Sequence, residues 1–190
     1  MAEVLLLHHI QGLTKGVDAL AERIRAAGHV VHTPDVYDGQ TFETMEGGAG
    51  HAQEIGFDEV RKRGVEAAEG LPAEVFYVGL SMGGMAVQDL AQNRPGARGA
   101  VLLASAIPPS EFGSSWPATV PVQFHATEQD PFFVGEGDIE AAQAILEQAD
   151  DGELFLYPGD QHLFFDSSLP SYDEAATDQM LQRVLALLER

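Results

Sequence analysis

The sequence predicts an α/β fold of three layers, a mostly parallel sheet of about six strands with helices on both faces. Three observations carry this expectation. Short apolar, β-branched runs alternate along the chain with stretches of helical period, an order that requires right-handed crossovers. The runs are apolar on consecutive residues, as strands buried on both faces are. One of them, Val75-Phe76-Tyr77-Val78-Gly79-Leu80, turns sharply through Ser81-Met82-Gly83-Gly84 and continues as a helix.

In order, residues 4–7 read as the first strand, opening into the loop His8-His9-Ile10-Gln11-Gly12. Apolar residues at 17, 20, 24 and 27 predict a helix over 17–27, which Gly28 stops. A second strand covers 29–33 and is closed by Pro34-Asp35. Residues 36–50 are rich in turn formers and glycine, lack a clear period and are expected to form a loop. Alanines and charges predict a helix over 52–69, interrupted near Gly56 or Gly64 and leading through Leu71-Pro72 to the strand before Ser81. The helix after the serine ends near Arg94-Pro95. Strands four to six are expected at 99–103, 121–126 and 154–157. Between the last two, Asp138 is expected to cap a helix with apolar residues at 139, 142, 145, 146 and 149. A closing helix over 174–189 lines up Ala176, Met180, Val184, Leu187 and Leu188. The length suits one domain, residues 1–190, without a large cap domain.

Composition narrows the chemistry. The formal net charge is −20, from 10 Lys+Arg against 30 Asp+Glu, so nucleic acid and anionic membranes are not expected partners. A small neutral molecule is. The chain has no cysteine, which removes disulfides, thiolate metal sites and a cysteine nucleophile. It starts without a basic, apolar leader and contains no run long enough to cross a bilayer, so a cytoplasmic protein is the expectation.

The pattern Gly79-Leu80-Ser81-Met82-Gly83 is that of a nucleophile elbow, in which the serine projects above the sheet and side chains at 79 or 83 would collide with neighbouring backbone. Serine needs a base within reach and a third group to orient that base. The chain order serine, acid, histidine offers Ser81, Asp130 and His162, the latter two in loops expected after the fifth and sixth strands. Glu128 and Asp138 compete with Asp130 for the acid. His125 competes with His162, but lies inside a strand, where a buried, satisfied histidine is the commoner role. The oxyanion would be met by the amide of Met82 and by one amide of His9-Ile10-Gln11. Adjacent His8 and His9 point to opposite sides of an extended segment and have no acidic or thiolate cluster beside them, so no metal is expected.

The segments Leu5-Leu6-Leu7-His8-His9-Ile10-Gln11-Gly12-Leu13, Thr33-Pro34-Asp35-Val36-Tyr37, Gly79-Leu80-Ser81-Met82-Gly83-Gly84, Gln129-Asp130-Pro131, Gly159-Asp160-Gln161-His162-Leu163-Phe164 and Pro170-Ser171-Tyr172-Asp173 resemble the dienelactone hydrolase family of α/β-hydrolases over most of the chain. The resemblance implies cofactor-free cleavage of esters or lactones by Ser81, Asp130 and His162, with the amides of Ile10 and Met82 in the oxyanion hole. Two positions depart from the family. Ser81 stands where its best-known members carry cysteine, and His9 stands where they carry a glutamate. No arginine among Arg61, Arg63, Arg94 and Arg98 matches those that hold a substrate carboxylate, which favours a general serine esterase or lactonase. A thioesterase, an acyltransferase and a silent binding protein on the same fold are the alternatives. Residues 106–119 are expected near the site, and His9, Phe112, Trp116, Phe132 and Phe164 are expected to line the substrate pocket.

Overall fold

A computed structural model describes residues 1–113 and 115–190. Ser114, inside the 106–119 segment expected to lie near the site, falls outside the described residues. Six strands form one sheet: β1 (Glu3–Leu7), β2 (Val30–His32), β3 (Phe76–Leu80), β4 (Gly99–Leu103), β5 (Val122–Thr127) and β6 (Gly152–Tyr157). Their order is β2-β1-β3-β4-β5-β6, and every neighbouring pair is parallel. Parallel pairing demands crossovers, and five of the six helices lie in them: α1 (Lys15–Ala26), α2 (Met45–Ile55), α3 (Phe57–Glu66), α4 (Gly84–Asn93) and α5 (Asp138–Leu146), with α6 (Glu174–Leu188) following the last strand.

Strand alternation sorts the core into two layers. Leu5, Leu7, Tyr77, Leu102 and Phe124 face α2 to α5, whereas Val4, Leu6, Phe76, Val78 and Leu103 face α1 and α6. The chain winds one way from β1 to β2, then crosses back and continues from β3 on the other side of β1. That reversal puts a crevice outside the carboxyl ends of β1 and β3, where open parallel sheets bind ligands.

The structure corrects two local expectations and decides between the alternatives of a third. Residues 45–50 begin α2, whose cap is the Thr44 hydroxyl accepting from the Gly47 amide at 3.1 Å. Glycines lower helix propensity, so this turn is hidden in the sequence. The expected interruption falls at Gly56, whose φ of +92° lets the chain break between α2 and α3, and not at Gly64. Gly64 sits inside α3, where its missing side chain admits Ala86 of α4 and Leu7. Asp138 does not cap α5 either. Gly137 holds the cap position without a side-chain bond, and Asp138 turns its Oδ2 to the Ala106 amide at 3.0 Å. Among the described residues no helix is long and apolar enough to cross a membrane.

Candidate active site

β3 ends at Leu80, and Ser81 adopts φ +47°, a left-handed conformation that is costly for a residue with a Cβ and is held here by the packing around it. The packing is backbone on backbone. A Cβ on Gly79 would lie 2.7 Å from the Gly84 Cα, and one on Gly83 would lie 2.4 Å from the Leu7 carbonyl oxygen. The elbow therefore nests α4 against β1 and lifts the Ser81 hydroxyl out of the sheet.

Ser81 Oγ lies 2.8 Å from His162 Nε2. On the far side of the ring, His162 Nδ1 lies 2.8 Å from Asp130 Oδ2 and 3.0 Å from Oδ1. A carboxylate only accepts, so Nδ1 carries the proton and Nε2 presents its lone pair to the serine. Asp130 is fully buried, and its Oδ1 also accepts the amides of Phe132 at 2.9 Å and Phe133 at 3.2 Å. The loop after β5 thus fixes the acid before it meets the histidine. The Phe132 ring lies 4.7 Å from that of His162 and shields it.

The competing groups are engaged elsewhere. His125 is buried in β5 with Nδ1 on the Tyr157 hydroxyl at 2.8 Å. Burial, helped by the charge of Arg183, lowers its pKa to about 3, so it stays neutral. Glu128 is exposed. Asp138 borders the cavity, bonded to Ala106, with its pKa raised by burial.

Ile10 and Met82 both line a cavity of about 660 Å³ that opens from Ser81. The Ile10 amide has no acceptor among the described residues, and the Met82 amide belongs to the single 3₁₀ turn Ser81–Gly83, too early in it to find a partner within the turn. Both residues thus border the cavity on which Ser81 opens. Tyr37 steadies this wall by donating its hydroxyl to Met82 Sδ at 3.0 Å.

Of the five residues expected in the pocket, only Phe132 lines it. His9 turns under the loop after β1 and bonds Asp166, so its ring is wholly buried. Phe164 follows the chain down from His162 into the core against Tyr157 and Phe165. Trp116 is buried with its indole N–H on the Val120 carbonyl at 2.9 Å, a partner that a buried indole needs. Phe112 lies away from the cavity, with the Arg61 guanidinium 5.9 Å from its ring. Among the described residues of the 106–119 segment only Ile107 reaches the cavity. Its other walls come from α2 (Met45, Glu46, Ala49), from Phe57, and from Met85, Ala104 and Glu136. Met85 lies in the first turn of α4, just after the Ser81 turn. The α2 wall was not foreseeable, because its helix was hidden.

His8 and His9 do not converge. His8 accepts the Val36 amide at Nε2, 3.1 Å away, while His9 meets Asp166 at 2.7 Å. Among the described residues no group of three or more His, Asp or Glu is arranged to hold a metal.

The elbow and the buried acid and histidine on a doubly covered parallel sheet define an α/β-hydrolase. The dienelactone hydrolase family model matches residues 1–190, and the chain belongs to that family. No curated protein matches it significantly. Among solved structures, the chain resembles a dienelactone hydrolase-like promiscuous phosphotriesterase from metagenomic libraries at 16% identity, with 100% of this chain and 86% of that one covered and a TM-score of 0.76. It also resembles a dienelactone hydrolase from Anabaena variabilis at 19% identity, covering 98% and 84% with a TM-score of 0.68. An esterase domain from Rhodothermus marinus follows at 16%, 98% and 86%, with a TM-score of 0.59. At these identities the likeness is one of fold, and the family supports a hydrolase.

Proposed function

We propose that the protein is a serine hydrolase that cleaves carboxylic ester or lactone bonds of small neutral substrates through an acyl-enzyme. The observation that carries this reading is the Ser81 hydroxyl 2.8 Å from His162 Nε2, on a ring whose other nitrogen is bound to buried Asp130. Ser81 Oγ attacks the carbonyl carbon as His162 takes its proton. The Ile10 and Met82 amides meet the oxygen as it becomes negative, which is where preorganised donors lower the barrier most. Asp130 keeps the proton on Nδ1 and stabilises the imidazolium. Collapse expels the alcohol, which receives the proton from His162. Water then attacks the acyl-enzyme by the same steps, returning the acid and free Ser81.

The walls support an uncharged over an anionic substrate. They are apolar apart from Ser105, Glu46, Glu136, Asp138 and the reacting pair, and no Lys or Arg lines the cavity among the described residues. A substrate carboxylate would find repulsion and no partner there. The test is Ser81→Ala, which should abolish hydrolysis of p-nitrophenyl butanoate and covalent labelling by a fluorophosphonate. Retained activity would put the reacting group elsewhere.

A further inference from the structure

A second buried histidine–carboxylate pair joins the loop between β1 and α1, through His9, to the segment after β6, through Asp166. His9 Nε2 lies 2.7 Å from Asp166 Oδ2, with both side chains fully buried. Nδ1 of the same ring meets the Gln11 amide at 3.2 Å. A backbone N–H only donates, so Nδ1 is the acceptor and Nε2 carries the proton that Asp166 receives. Asp166 is saturated: Oδ2 also accepts the Thr14 hydroxyl, and Oδ1 accepts the Ser168 amide at 2.8 Å and its hydroxyl at 2.6 Å. Gly16 leaves room for it, since a Cβ there would overlap Asp166 Oδ1. Burial alone would raise the pKa of this carboxyl, but the bonds from His9, Ser168 and Thr14 outweigh it and hold it at about 2.

The His9 carbonyl is fixed as well, by His8 Nδ1 at 2.8 Å and the Gly12 amide at 3.0 Å. In a trans peptide the C=O and the following N–H point in opposite directions. Tying the His9 oxygen into the loop therefore turns the Ile10 N–H outward, to the side where Ile10 lines the cavity. The pair is also joined to the base by only four residues of chain, because His162 and Asp166 belong to the one segment that follows β6.

We propose that His9 and Asp166 are positioning residues of the hydrolytic reaction, holding the loop so that the Ile10 amide faces the developing oxyanion. The inference rests on the ester-hydrolase reading above. It assigns His9, which touches no substrate, a function through the peptide it orients.

Asp166→Asn tests it through a conflict of donors. The Ser168 amide, which only donates, keeps the Asn oxygen at the Oδ1 position and leaves the NH2 against His9 Nε2–H; the other ring tautomer then sets Nδ1–H against the Gln11 amide. Relief requires the loop to move. With p-nitrophenyl butanoate, kcat per active site titrated to completion with a fluorophosphonate should fall about a hundredfold, the scale of losing one oxyanion donor, with KM within about twofold. The acid limb of the pH–rate profile should stay in place, because Asp130 and His162 are untouched. His9→Ala should fall likewise, and His9→Gln, whose amide N–H reaches toward Asp166, should recover part of the loss; this pair decides the matter if Asp166→Asn does not fold. Wild-type kcat per titrated site in Asp166→Asn or His9→Ala overturns the inference while leaving the hydrolase reading intact. A wild-type protein that neither hydrolyses the ester nor takes up the phosphonate removes that reading, and this inference with it.

Discussion

Gly48 offers a test of the oxyanion assignment that leaves every polar group in place. It lies in α2, and a Cβ built on it comes 2.0 Å from the Ile10 carbonyl oxygen, 2.8 Å from the Ile10 carbonyl carbon and 3.3 Å from the Gln11 Cα. These are backbone atoms, so no side chain can swing aside. Restoring an ordinary contact of about 3.3 Å requires a relative displacement of more than about 1 Å, enough to take the Ile10 amide out of hydrogen-bond range of an oxyanion. A misplacement of that size costs on the order of a hundredfold in rate. Gly48→Ala is expected to lower kcat for p-nitrophenyl butanoate by about that factor. Gly50→Ala is the control: nothing lies within 4 Å of its Cβ, and the same exchange inside the same helix should add up to about 1 kcal/mol of helix propensity and raise Tm by about 2–4 °C, with activity unchanged. The two glycines differ in what they touch, so the contrast isolates the contact. If α2 gives way instead of the loop, the Met45 and Ala49 wall moves and KM changes in place of kcat. A Gly48→Ala enzyme with wild-type kcat and KM refutes the assignment of the Ile10 amide.

Three further outcomes follow from the geometry. Asp130→Asn presents an amide to His162 Nδ1 and favours the wrong tautomer, so kcat should drop about 10⁴-fold with the fold retained, as judged by circular dichroism. His125 stays neutral in the fold down to about pH 3, whereas the unfolded chain binds its proton below about 6.5. Its contribution is therefore complete above pH 6.5 and lost as pH falls toward 3, about 2 kcal/mol by pH 5; urea unfolding of His125→Gln should show that much less loss between pH 7 and pH 5. Finally, the mono-p-nitrophenyl ester of glutaric acid, which places a carboxylate among Glu46, Glu136 and Asp138, should show kcat/KM at least about tenfold below that of p-nitrophenyl butanoate, with the gap narrowing in high salt.

The strands were legible because burial on both faces writes itself as unbroken apolar runs, and Phe76–Leu80 followed by the glycine-flanked serine needs no partner to be recognised. Ser81, Asp130 and His162 were legible as candidates because each follows a strand, and the structure brings the three side chains into hydrogen-bond contact. The pocket was not. Its α2 wall is encoded in Met45-Glu46-Gly47-Gly48-Ala49-Gly50, where three glycines, of which Gly48 alone meets neighbouring backbone closely, erase the helical signal. Trp116 and Phe164 look like pocket residues because they are large and near the reacting loops in sequence, but nearness along the chain does not say on which side of a loop a ring is buried. His9 shows the same limit: its partner Asp166 lies 157 residues away, a contact that local pattern does not contain.

Met45, Glu46, Ala49 and Phe57 bring one wall of the cavity from a single stretch, α2 and the start of α3, whereas Ser81, Asp130 and His162 sit after β3, β5 and β6. This separation makes the protein a natural host for segment exchange. A library that replaces residues 45–57 would vary the acyl group accepted while the chemistry stays where it is, provided every member keeps a bare Cα opposite the Ile10 carbonyl.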